Sequence, residues 1–249
     1  MGAAELWLRR AERGDLGAIC PCLAAVNVIH NMAKLQPLSE RLSKLIDTKV
    51  PTLPQPEQDK MGACWYSYYR RAASAGNANA QYLLAGMYKG AEAKRLVELA
   101  AKNGSPEAQF DVGRDHMLDD DLVSTVNWWK LAAAQRYGLA LYALSHMYRD
   151  GRGVPQDFEA AAKLLAEDAQ QGSFNARIEL GEMYEKGQGV PQDFVQAHFW
   201  FNVAGATSVD EGSRRRANEA RDRIAQHMTR EQIADAQRLA RDWRPRAWP

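Results

Sequence analysis

Cysteine is scarce in this chain. Cys20, Cys22 and Cys64 are the three among 249 residues. An odd, sparse set does not make a disulfide framework and lacks the paired spacing of a zinc site. Cys20-Pro-Cys22 reads as buried thiols before it reads as a redox pair. Charge of one sign is also missing, since the formal net charge is +1. Nothing global therefore steers the protein to nucleic acid or membrane. No apolar run approaches the length of a membrane span. The nearest to a targeting segment, Leu16–Ile29, is broken by Pro21 and Asn27 and follows Glu12 and Asp15. It reads as a buried helix rather than a secretory signal. Cytoplasmic placement is the expectation, with the periplasm as the alternative if a signal peptide precedes the numbered residues.

Catalytic signatures are lacking too. There is no Gly-x-Ser-x-Gly, no His-Glu-x-x-His, no phosphate-binding Walker loop and no dinucleotide fingerprint. The five histidines (His30, His116, His146, His198 and His227) stand at no metal-ligand spacing with one another or with cysteine. They are expected to be packed or surface residues, with His116 at a core position. The expectation is no enzyme, no cofactor and no metal.

What is present is ordinary for a folded protein, with 46% hydrophobic and 25% charged residues, and it is repetitive. Met147–Phe158 (MYRDGRGVPQDF) and Met183–Phe194 (MYEKGQGVPQDF) are 36 residues apart and identical at nine of twelve positions. Looser copies run upstream. A nine-residue unit opening on alanine reads Ala80–Tyr88, Ala108–His116, Ala140–Tyr148 and Ala176–Tyr184. A second unit precedes or follows each: Tyr68–Ala73, Leu96–Ala101, Trp128–Ala133, Leu164–Ala169 and Trp200–Gly205. Both have helical spacing and no strand-like alternation. Each repeat is thus helix A, loop, helix B, turn.

The residue types have physical roles. A small alanine lets two helices approach closely, and the closing tyrosine fills the gap between layers. Gly151, Gly153, Gly187 and Gly189 permit the positive φ that ends a helix. Pro155 and Pro191 suit the first turn of helix B. Asp157 and Asp193 then sit near a helix N-terminus, where a carboxylate is favoured. Gly76, Gly104 and Gly172 supply the turns between repeats, and Arg136 takes that place once. Trp128 and Trp129 are read as core rather than a stacking platform.

The alanine-rich helix A, the Gly-x-Gly-Val-Pro-Gln-Asp-Phe loop and the Trp-x-x-x-Ala-Ala helix B together resemble Sel-1-like repeats, relatives of the tetratricopeptide repeat. The likeness is strongest over 138–206 and weaker over 68–137. It implies an all-α fold, a right-handed α-solenoid superhelix of helix-pair repeats between degenerate caps. Expected boundaries are a helical cap with a proline-rich loop over 1–60, the array over 61–212 and capping helices over 213–249. Helices are expected at Leu38–Thr48, Ser213–His227 and Thr229–Trp243, with the prolines of Val50–Pro56 breaking any helix. The C-terminal segment holds ten arginines between 214 and 246 against five acids. It is read as a solvated cap with pairs such as Arg215–Glu219 and Glu219–Arg223, not a nucleic-acid patch.

The resemblance implies protein binding. Family roles include signalling, secretion, envelope assembly and toxin neutralisation. The expected function is an immunity or adaptor protein of bacterial type that masks one protein partner, such as a secreted toxin. A regulatory or envelope-assembly scaffold is the alternative, and a hydrolase acting on cell-wall fragments or β-lactams is a further one. In stacked helix pairs one helix of each pair lines a groove. The fourth and seventh positions of helix A share a face and are not core anchors. Leu83, Asp111, Arg114, His146, Glu179 and Glu182 fall there, in a column that does not repeat. They are the expected protein-binding residues.

Overall fold

The computed structural model describes residues 55–245 together with Arg9. Cys20, Cys22, the helix expected at 38–48 and nearly all of the 1–60 cap lie outside the described residues, as does the side chain of Cys64. Among the described residues the regular secondary structure is α-helix throughout, eleven helices in all, the all-α solenoid of helix pairs expected. They divide into two compact units, with the boundary between Asn103 and Gly104.

In the first unit α1 (Gln55–Ser74), α2 (Ala78–Ala85) and α3 (Ala91–Lys102) pack in succession. Proline does not break the chain at 56. Pro56 is the second residue of α1, in the first turn, where its missing N–H has no partner to lose. Asn77 caps α2 by accepting from the Ala80 amide. α2 stops at Ala85, short of the expected Tyr88. Gly86 follows it and Gly90 takes φ 67°, so the chain turns directly into α3 with no Gly-x-Gly-Val loop. Tyr88 still closes the layer, its hydroxyl 2.7 Å from that of Tyr66.

The second unit is a stack of helix pairs. Its helices are α4 (Pro106–Leu118), α5 (Leu122–Ala134), α6 (Gly138–Asp150), α7 (Phe158–Gln171), α8 (Phe174–Lys186), α9 (Phe194–Thr207), α10 (Glu211–Ala225) and α11 (Arg230–Asp242). Each packs on the next through α10, and α11 folds back onto α9. The alanines that open helix A, Ala108, Ala140 and Ala176, are fully buried. So are Ala132, Ala169 and Ala204 near the ends of the B helices. Such small residues allow the close approach that lets Leu141, Leu165, Ile178, Leu180 and Phe201 fill the space between layers. Gly113 and Gly181 go further in the same sense. A Cβ at either would fall 2.5 Å from the ring of Trp129 or Phe201.

The repeated loop is explained residue by residue. Gly151 and Gly187 end α6 and α8 in the left-handed region, at φ 67° and 68°. Gln156 and Gln192 then donate to the carbonyls of Arg149 and Glu185, satisfying an exposed helix end. Asp157 and Asp193 are the N-caps of α7 and α9, accepting from the amides of Ala160 and Gln196. The two prolines do not enter the helix as expected. α7 begins at Phe158 and α9 at Phe194, because the aspartates cap from an extended conformation at φ near −150°. Pro155 and Pro191 stiffen the approach to that cap instead.

Turns between repeats follow the glycine expectation. Gly76, Gly104 and Gly172 all have positive φ, and Arg136 adopts φ 63° where glycine is absent. Its guanidinium Nε lies 2.7 Å from Glu167. Thr229 and Gln232 form a reciprocal capping box at the start of α11. Arg223 pairs with Glu185 of α8 at 2.7 Å rather than with Glu219 on its own helix. His116 is not a core residue. It is about a third exposed, with Nδ1 3.3 Å from the α5 cap Asp121. Trp129 is core, stacked on Phe110 and donating to its carbonyl at 3.1 Å.

Candidate protein-binding face

The A helices α6 and α8 lie one repeat apart, and a polar network joins them. Tyr142, His146 and Arg149 fall at i, i+4 and i+7 of α6 and therefore share a stripe. All three converge on Glu179 of α8. Tyr142 donates its hydroxyl to one carboxylate oxygen. His146 Nε2 lies 3.0 Å and Arg149 Nη1 3.2 Å from the other. Arg149 also holds Asp150 at 2.9 Å.

The electrostatics follow from this crowding. Burial alone would push the Glu179 carboxyl up. The hydrogen bond from Tyr142, the close His146 ring nitrogen and the charge of Arg149 outweigh it and hold the group below its ordinary value. Tyr142 moves the other way: burial, then its bond to Glu179, push the phenol well above its usual range. The result is a carboxylate kept ionised and a tyrosine kept neutral, both fixed in place. The side chains of such a cluster are ordered by one another. The cluster has no nucleophile and no metal-ligand set, and among the described residues no three His, Cys, Asp or Glu side chains are placed to hold an ion.

The expected binding residues fall into separate groups. His146 and Glu179 meet as described. Asp111 and Arg114 pair with each other on α4 at 3.0 Å. Glu182, one turn beyond Glu179, is half-buried and adds its negative potential at Arg223 of α10. Leu83 is half-exposed on α2 of the first unit. Sequence reasoning missed Tyr142 and Arg149. The available signal was their helical spacing from His146. It also missed the buried Arg177, whose Nε donates to the Ala169 carbonyl at 3.0 Å. Its guanidinium lies 4.7 Å from the Trp243 ring centroid. Gln81 performs the same closure on Ala73 in the first unit, at 2.9 Å.

The Sel1 repeat family model matches residues 66–77, 138–173 and 175–206. The chain carries Sel1 repeats. Solved structures agree in fold. One is c5321, a protective antigen present in uropathogenic Escherichia coli strains and displaying an SLR fold. It is 26% identical, with a TM-score of 0.59, over 95% of this chain and 47% of that one. The chain therefore spans about half the length of that relative. A Sel1 repeat protein from Oxalobacter formigenes is similar with a TM-score of 0.57 at 20% identity, over 87% of this chain and 98% of the other. No curated protein sequence matches the chain. Sel1 repeat proteins are protein-binding scaffolds. Among the described residues no helix is long and apolar enough to cross a membrane.

Proposed function

We propose that this Sel1-repeat protein is a bacterial immunity or adaptor protein that grips and masks one protein partner, such as a secreted toxin, through the exposed face of its A helices. The observation that carries this reading is a contrast between positions. Core positions recur from layer to layer, as Ala108, Ala140 and Ala176 do. Face positions do not: Asp111 and Arg114 are succeeded by Ala143 and His146, then by Glu179 and Glu182. Packing dictates the first set, whereas a specific partner is served by the second. The network on Glu179 supports the same reading, since side chains already held lose less entropy on binding.

The test uses the full chain as bait in its native host, beside an Arg114→Glu/Glu182→Arg variant. A single partner captured by the wild type and released by the variant is expected. Co-expression of the wild type should relieve that partner's toxicity. Equal capture by both baits moves the interface off this face, and an innocuous partner removes the immunity role.

A further inference from the structure

We infer that the cleft between α7, α8 and the Gly187–Pro191 turn is a seat for the lysine side chain of a protein partner. The inference rests on the scaffold reading above and specifies one subsite of it. The cleft has a volume of about 620 Å³ and is floored by Ala162, Ala166, Leu180, Tyr184 and Val190. Its rim carries one charge of each sign, Glu159 and Lys163, which already pair at 2.6 Å. Rim charge therefore neither draws in nor expels a cation, and selection falls to the floor.

The occupant is named by the preceding layer. α5 and α6 are followed 36 residues later by α7 and α8, with N-caps Asp121 and Asp157 in register. In that earlier layer Lys130 of α5 places its ammonium 5.6 Å from the ring centroid of Tyr148 on α6. Lys130 corresponds to Ala166 and Tyr148 to Tyr184. Val126 corresponds to Ala162, so two side chains are cut back at once. Tyr184 therefore keeps the ring, and Ala162 and Ala166 leave the volume that an alkylammonium chain fills one layer earlier. Among the described residues no cation lies over Tyr184. A butylammonium arm entering beside Ala162 and Ala166 buries its methylenes on alanine, Leu180 and Val190, and carries its charge to the ring.

The test is a methyl and aromatic NMR titration of the full chain with N-acetyl-lysine-methylamide and, in parallel, the norleucine analogue, which has the same aliphatic chain without the ammonium. The lysine probe should give saturable shifts at Ala162, Ala166, Leu180 and Tyr184. It should bind about 2- to 5-fold more tightly than norleucine, the size of an exposed cation–π contact. Ala166→Lys restores the arrangement of the earlier layer from within the chain and should abolish the shifts at unchanged melting temperature. Tyr184→Leu, a second variant that stays apolar but removes the aromatic ring, should bring both probes to equal affinity. Equal affinity for lysine and norleucine in the wild type overturns the cation preference. Shifts that survive Ala166→Lys, or no saturable shift with either probe, overturn the site. None of these outcomes bears on Arg114 or Glu182, so the charge-reversal bait still judges the wider face separately.

Discussion

Gly189 lies against the backbone carbonyl of Phe158, so close that a Cβ at 189 would fall 2.0 Å from that oxygen. One repeat earlier Gly153 meets Leu122 in the same way, at 2.5 Å. Both glycines also hold φ near 68°, so a side chain meets strain and collision together. Gly153→Val and Gly189→Val should each lower unfolding free energy by about 1–3 kcal/mol, with Gly189→Val the worse because its backbone contact is the closer of the two. Urea unfolding checks this, and equal midpoints for wild type and both variants would refute it.

Asp168 is buried in α7 at the position that Ala132 occupies one layer earlier. Burial pushes its carboxyl up to about 6, against the opposing pull of Ser173 and Arg177. Its folded value exceeds the unfolded one, so the stability it contributes is present at low pH and lost as pH rises from about 4 through about 6. Asp168→Asn removes that loss. The variant should gain on the wild type by about 1–3 kcal/mol between pH 4 and pH 7. Denaturation at pH 4, 5.5 and 7 reads the trend, and a gap that stays flat with pH counts against it.

Glu179 works with the opposite sign. Its folded value is depressed, so its contribution is present at neutral pH and fades as acid protonates it. Glu179→Gln should cost about 0.5–2 kcal/mol at pH 7. The cost should shrink on acidification below the ordinary carboxylate range. Melting curves of the two proteins at pH 7 and pH 3.5 should converge at the lower value.

His198 is buried in α9, and burial, with the nearby charge of Arg221, holds its imidazole below its ordinary value against the pull of Asp222. Neutral His198 supports the fold above the unfolded value near 6.5, and that support is lost as pH falls through the depressed folded value. His198→Gln should therefore flatten the acid limb of the stability profile below pH 6.5. An acid limb identical to that of the wild type would assign it to other groups.

Reversal of Arg114 and Glu182 should spare the fold. Arg114 gives up an exposed pair with Asp111, an interaction worth about 0–1 kcal/mol. Partner affinity should fall at least about tenfold, and more steeply at low salt, where exposed charges are less screened. Calorimetry at two salt concentrations separates this from a loss of fold.

The fold was legible because repeats state their rules more than once. An alanine seen at 108, 140 and 176 announces a close helix contact without any coordinates. Aspartate at 157 and 193 announces a helix start. Pro155 misled because proline suits both the first turn and the segment before a cap, and only the φ of Asp157 decides between them. The face was half legible. Helical spacing placed His146 and Glu179 in one column, but their meeting depends on how α6 and α8 are offset, which no single helix encodes. The clamps made by Gln81 and Arg177 were invisible for another reason: different side chains reach the same carbonyl, so the function repeats where the letter does not.

The loop glycines have a directional consequence. Each Gly-x-Gly-Val loop rests on the first residue of the helix B before it, Gly153 on Leu122 and Gly189 on Phe158. A layer thus sits on a floor built by its predecessor and builds one for its successor. Trimming from the C-terminal side removes occupants and leaves floors intact. Trimming from the N-terminal side removes a floor and strands the loop above it. The loop and the helix start beneath it are therefore coupled, and disorder in one layer reaches the next through that contact.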